Sequence, residues 1–263
     1  MFALYSSWGV TGFKYGFVNV GSQYWTAWLH ESVKKAAAHK LQVNIHDEYR
    51  PTGLERTYPY LISAEGIRGD EASTTNSDVL KTLFTRMIAG AGDQTNCYFN
   101  KRVENITGSR ASQMAKTILL YSPWQHLYWY DRPAGSPGAG ETKNNPPKAI
   151  REDEETRFFA LVPTVWDDTK VLEGYPGEYA RIVRRSGTSW YMGALTGDNK
   201  GHKFDVTFDF LDADKKYEAT IYSDNIVNGK KEVKIEKISV DAKSKLAMTV
   251  QKKNGFAMII NAL

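Results

Sequence analysis

A chain of 263 residues, 41% hydrophobic and 24% charged, has the length and composition to bury a full core in one large domain or two smaller ones. Its net charge of +4 is dispersed without a long basic run, which argues against a nucleic-acid partner, and no apolar run approaches the ~18–20 residues of a membrane span. The single cysteine, Cys97, excludes an internal disulfide framework and a cysteine-based zinc site.

The opening Met1-Phe2-Ala3-Leu4-Tyr5 lacks the basic region and apolar core of a signal peptide. Phe13 to Val20 reads as a buried strand between Gly12 and Gly21. Ser22 can cap a helix from about Gln23 to His39, with Trp25, Trp28, Leu29, Val33 and Ala36 on one face. Leu41 to Ile45 follows as a strand, completing a βαβ unit of the kind that builds parallel sheets. After a loop containing Pro51, Gly53 and Pro59, Ser77-Asp78 opens a helix through Met87, broken by Ala89-Gly90-Ala91-Gly92-Asp93. A further helix runs from about Ser109 to Tyr121, and residues 131 to 148 form a Pro/Gly/Asn-rich surface loop. The acidic run at Arg151 to Glu155 starts a short helix ending near Phe159, its charges read as a solvated face.

From about Pro163 the pattern becomes short alternating runs separated by Gly, Asp, Asn and Lys turns. Val165–Leu172, Tyr179–Arg185, Trp190–Leu195, Lys203–Phe210, Tyr217–Tyr222 and Ala257–Ile260 suggest an antiparallel β-sandwich. The expected division is 1–160 as an α/β domain and 161–263 as the sandwich. The α/β part shows only two or three convincing strands, too few for a closed barrel. Either strands are undercounted or the chain begins partway through a larger fold; the second reading is preferred.

The candidate site is the stretch His46-Asp47-Glu48-Tyr49-Arg50, with Glu65, Asp70 and Glu71 beyond the Pro59 turn. Carboxylates this close repel unless a proton, an arginine or a metal offsets them. In parallel α/β folds such groups act at the C-terminal ends of strands, where Asp47 and Glu48 are expected. Two carboxyl groups suit glycoside hydrolysis, ~6.5–9.5 Å apart for inversion or ~5 Å apart for retention. Three or more make an oxygen cage fit for Ca²⁺. The bland alternative is a set of solvated loop acids. His46 is either a core histidine or a donor to a sugar hydroxyl, and Arg50 and Arg56 either pair with acids or face ligand. Gly16 marks either helix packing or close approach of a ligand. Aromatic residues at 13% leave some rings for stacking on pyranose faces after packing is satisfied.

With these residues in view, the chain resembles glycoside hydrolase family 97, the calcium-dependent α-glucosidases and α-galactosidases. The resemblance rests on Gly12 to Gly21, His46 to Gly53, Arg56-Thr57-Tyr58-Pro59 and Glu65 to Glu71, with Tyr121-Ser122-Pro123 and Gly174 to Tyr179. It implies the second half of a (β/α)8 barrel followed by an antiparallel β-sandwich, in a family that is typically periplasmic. It further implies Glu71 as general acid, Asp47 as water-activating base and calcium ligand, and Glu65 and Glu71 as further Ca²⁺ ligands; His46, Arg50 and Gly16 are the expected substrate-binding residues. Asp47 stands where inverting members hold a longer Glu, a shortfall that Glu48 could offset. Gly16 stands where retaining members hold a nucleophilic Asp. The expectation is therefore an inverting, Ca²⁺-dependent α-glucosidase-type hydrolase of α-linked oligosaccharides. The alternatives are a truncated, non-catalytic homologue that at most binds sugar, or a retaining α-galactosidase. The isolated chain is expected to be inactive and poorly stable, because half a barrel exposes its core.

Overall fold

The computed structural model describes residues 1–46, 49–98, 106–127, 153–227 and 230–263. A short helix α1 (Phe2–Ser7) leads into strand β1 (Gly12–Tyr15), helix α2 (Gln23–Ala38) and strand β2 (Gln42–Ile45). The Ser22 side chain accepts the Trp25 N–H, giving α2 its N-cap, and α2 buries Leu29, Val33 and Ala36. A one-turn helix α3 (Leu54–Thr57) precedes strand β3 (Leu61–Ala64). The three strands form a parallel sheet in the order β1-β2-β3, packed through Leu29, Val33, Leu41, Val43, Ile45 and Leu61. The strand expected to reach Val20 stops at Tyr15, because Gly16 is followed by Phe17 in a left-handed conformation at φ 46°.

Strand β3 supplies the pairing that the sequence pattern did not reveal, and the ladder continues beyond it. The Asp93 N–H donates to Ala64 O at 3.2 Å, and the Gly92 N–H donates to Tyr121 O at 3.0 Å. Residues 92–93 thus lie as an extended segment beside β3, with Tyr121 on their far side.

Helix α4 (Asn76–Phe84) carries a Thr75/Asp78 capping box, and helix α5 (Arg110–Leu119) a Ser109/Ser112 box. Helix α6 (Glu154–Leu161) is capped by Asp153. The acidic run is not simply solvated: Glu155 accepts from Tyr98 Oη at 2.9 Å and from Arg110 at 2.8 Å. The expected loop at 131–148 lies outside the described residues.

The remaining strands are β4 (Asp168–Tyr175), β5 (Tyr179–Ser186), β6 (Ser189–Thr196), β7 (His202–Thr207), β8 (Tyr217–Val227), β9 (Lys230–Val240), β10 (Lys245–Val250) and β11 (Gly255–Ala262). They pair antiparallel as a six-stranded sheet, β4-β5-β6-β11-β8-β9, and a two-stranded sheet, β10-β7. Phe204, Phe208, Phe256, Met192 and Met258 fill the space between the two sheets. The other face of the large sheet is covered by helices: Met114, Ile118 and Phe158 pack on Tyr191, Tyr222 and Ile259, while Val79, Leu80 and Leu119 meet Ile182 and Leu195. Covering on both faces explains why β6 is buried almost along its whole length, without the alternation of a half-exposed strand.

Helix α5 is buried along its length and is held at both ends by the sheet. At its C-terminus Arg184 of β5 donates from Nε to Ile118 O at 2.6 Å and from Nη2 to Leu119 O at 3.0 Å. These carbonyls lack intrahelical partners, and a cation suits that end of the helix dipole. At its N-terminus Asp224 of β8 accepts from Ser109 Oγ at 2.6 Å. Gly193 of β6 permits the close approach: a Cβ there would lie 2.8 Å from Ala115 O.

Candidate active site

The three strands are parallel, so their C-terminal ends share one edge, and side chains two residues apart along each strand share one face. Lys14, Asn44 and Ser63 form a lower polar layer. Gly16, His46 and Glu65, each two residues further on, form the layer above it at the strand ends.

Asp93 organises the lower layer. Its Oδ2 accepts from Lys14 Nζ at 2.7 Å and from Asn44 Nδ2 at 3.2 Å, and it lies 2.9 Å from His126 Nδ1. Asn44 also donates to Ser63 Oγ at 2.6 Å. Burial pushes the Asp93 carboxyl up, but His126 and Lys14 more than offset this and hold it below its ordinary value. Lys14 Nζ also lies 3.6 Å from Glu65 Oε2, and His46 Nε2 approaches the same oxygen at 3.1 Å. One carboxylate oxygen in the upper layer is thus shared between a lysine and an imidazole.

Glu71 sits in a short 3-10 turn, Asp70–Ala72. Burial raises its carboxyl above the ordinary value, and the charges of Glu65 and Asp70 add to the rise, with Lys14 opposing. A carboxyl that holds its proton at higher pH is suited to donate it. The Glu71 carboxylate folds back close to Gly69, so a Cβ there would displace it.

Above these layers opens a cleft of about 470 Å³, lined by Phe17, His46, Arg50, Glu65, Ile67, Arg68 and Glu71 among others. Phe17 is 87% exposed and meets the His46 ring edge-on at 5.4 Å. The structure therefore brings His46, Arg50, Glu65 and Glu71 to one cleft. Gly16 stands at the end of β1 with open space around its Cα, and no side chain reaches from that position. Asp47 and Glu48 lie outside the described residues. Lys14, Asp93 and His126 were not singled out in the sequence. The only local signal was for Lys14, which precedes Gly16 by two in a strand and so shares its face.

Among the described residues, no three His, Cys, Asp or Glu side chains gather closely enough to hold a metal ion. Glu65 already faces the Lys14 ammonium, an arrangement that competes with a cation. Glu65 and Glu71 are two of the three expected ligands, and Asp47, the third, lies outside the described residues.

Two family models match the chain: "Glycoside hydrolase 97" over residues 1–67, and "Glycosyl-hydrolase 97 C-terminal, oligomerisation" over residues 165–261. A protein of Bacteroides thetaiotaomicron named "Retaining alpha-galactosidase" is 30% identical across 97% of this chain and 39% of its own length. A Streptomyces bingchenggensis protein named "Probable retaining alpha-galactosidase" is 34% identical across 71% of this chain and 27% of its own length. A family 97 enzyme of Pseudoalteromonas sp. strain K8, solved in complex with acarbose, superposes with a TM-score of 0.80 at 28% identity, covering 100% of this chain and 44% of that one. A variant of that enzyme has been solved in complex with panose. The chain thus spans less than half the length of these relatives. The names of the two sequence relatives conflict with the inverting expectation and match the retaining alternative.

Proposed function

The chain belongs to glycoside hydrolase family 97, and on that premise we propose that it carries the acid side of a site hydrolysing α-linked glycosides. The observation that carries this reading is the Glu71 carboxyl, pushed above its ordinary value on the wall of a cleft that His46, Arg50 and Glu65 also line. Glu71 gives its proton to the glycosidic oxygen as the C1–O bond breaks, the bond's electron pair staying on that oxygen. His46 and Lys14 fix the Glu65 carboxylate beside the sugar, and Arg50 donates from the cleft rim.

The relatives' ligands support an α-linked oligosaccharide as substrate, since the family 97 enzyme from Pseudoalteromonas was solved in complex with acarbose and a variant of it with panose. The barrel interpretation is supported by three parallel strands with a paired continuation at residues 92–93. Relatives' names favour retention with an α-galactoside, whereas Gly16 at the end of β1 offers no carboxylate and favours direct attack by water, hence inversion. NMR of the first-formed anomer decides between them.

The test of the acid assignment is Glu71→Gln in the full-length protein. Turnover of an alkyl α-glycoside should fall by about 10²–10⁴-fold, because an alkoxide leaves poorly without a proton. Undiminished turnover would sink the assignment. Calcium is proposed with Asp47, Glu65 and Glu71 as ligands. Calorimetric titration of Ca²⁺ into the chelator-treated protein, giving no heat of binding, would remove it.

A further inference from the structure

We propose that the buried pair Asp70–Lys116 is a positioning device for the Glu71 acid, tying its turn to helix α5 and through α5 to the antiparallel sheet. The inference rests on the reading of Glu71 as the acid and adds the residues that aim it.

Asp70 is fully buried and Lys116 is 2% exposed, which is rare for either residue type. Their charged atoms lie 3.6 Å apart, and Lys116 Nζ also donates to Thr107 O at 2.9 Å. Asp70 Oδ2 accepts the Cys97 N–H at 3.0 Å, Gln94 Nε2 lies 3.5 Å from Oδ1, and the Asp70 N–H donates to Thr95 O at 3.0 Å. The turn also closes on itself, with the Ser73 N–H on Asp70 O and Thr74 Oγ1 on Gly69 O, both at 2.9 Å. Glu71 follows Asp70 directly, and successive side chains in a 3-10 turn diverge by about 120°. Anchoring Asp70 in the interior therefore turns Glu71 toward the cleft.

Stability alone is a poor account of such a pair, because well-packed apolar residues serve as well or better in a protein interior. Orientation is a better account: a general acid works only within a narrow range of distance and angle to the leaving oxygen. Lys116 is suited to that task because its helix cannot drift. Arg184 and Asp224 hold the two ends of α5 from the large sheet.

The test compares leaving groups in the full-length protein. A nitrophenolate departs with little help from the acid, while an alkoxide needs the proton. The double substitution Asp70→Asn with Lys116→Met removes both charges together, so no lone charge is left buried, and an unchanged circular dichroism spectrum checks that it folds. It should lower kcat for a methyl α-glycoside by about tenfold. For the p-nitrophenyl α-glycoside the change should stay within about twofold, with KM little changed for both. Lys116→Met alone should give a larger loss with the same selectivity; should that variant fail to fold, the double variant decides. Equal losses on both substrates, or no loss on either, would overturn the positioning role while leaving the Glu71→Gln result intact. A wild-type protein without turnover on any α-glycoside would overturn the functional reading, and this inference with it.

Discussion

Strands β1, β2 and β3 are four residues long and bring Lys14, Asn44 and Ser63 together on one polar face, whereas β5, β6 and β11 are eight residues long and pack apolar side chains on both faces of their sheet. In the first sheet, buried polar groups hold one another around Asp93, and their strand ends open on the cleft. In the second, Phe204, Phe256, Met192 and Met258 are buried in an apolar core between the two sheets. Burying polar groups is costly unless each finds a partner, and the cost is justified where those partners do chemistry. The two sheets thus divide the work, one presenting polar groups at a cleft and the other supplying a packed apolar wall. Helix α5 joins them, since it lies on the large sheet and reaches the Glu71 turn through Lys116.

If that division holds, the largest stability effect should come from the joint between the regions. Arg184→Met strands the Ile118 and Leu119 carbonyls, and should lower unfolding free energy by about 3 kcal/mol in urea titrations. Loss in a single cooperative transition would show that the regions unfold together; two separated transitions would break the picture of α5 as a joint.

A smaller effect is expected from the polar layer. The Asp93 carboxyl lies below its ordinary 3.8 in the folded protein, so its contribution is present above pH 3.8 and is lost as pH falls through the folded value. Other carboxyl groups titrate in the same range, so the informative quantity is a difference. Wild type should lose more melting temperature than Asp93→Asn on acidification below pH 3.8, and parallel curves would contradict the proposed hold of Lys14 and His126 on Asp93.

The smallest effect concerns local structure in the parallel region. Ser22→Ala removes the N-cap of α2 and should cost about 1 kcal/mol by thermal or urea unfolding. A loss well above that would mean that Ser22 does more than cap the helix.

Much of the local structure was legible because it depends on neighbouring residues. Ser22 before an apolar periodicity marked α2, and Leu41 to Ile45 marked β2, each within a residue or two of the observed limits. Strand β3 went unread because Leu61-Ile62-Ser63-Ala64 is too short to show alternation and follows Pro59. The run at Val165 was expected to be a strand from its first residue, yet β4 begins at Asp168. Of the site, His46, Arg50, Glu65 and Glu71 could be named from their crowding. Asp93 could not, because its partners Lys14 and Asn44 are distant in sequence.

Neighbouring residues alone mark the Ser22 cap of α2, an antiparallel region after about Pro163 in which β9 and β10 went unread, and the carboxylates near the strand ends. Folding brings Lys14, Asn44, Asp93 and His126 into one layer, clamps α5 between Arg184 and Asp224, and buries the Glu71 carboxyl so that it is raised. Desolvation and charge pairing depend on distance in space, and here the decisive partners are separated by long stretches of chain.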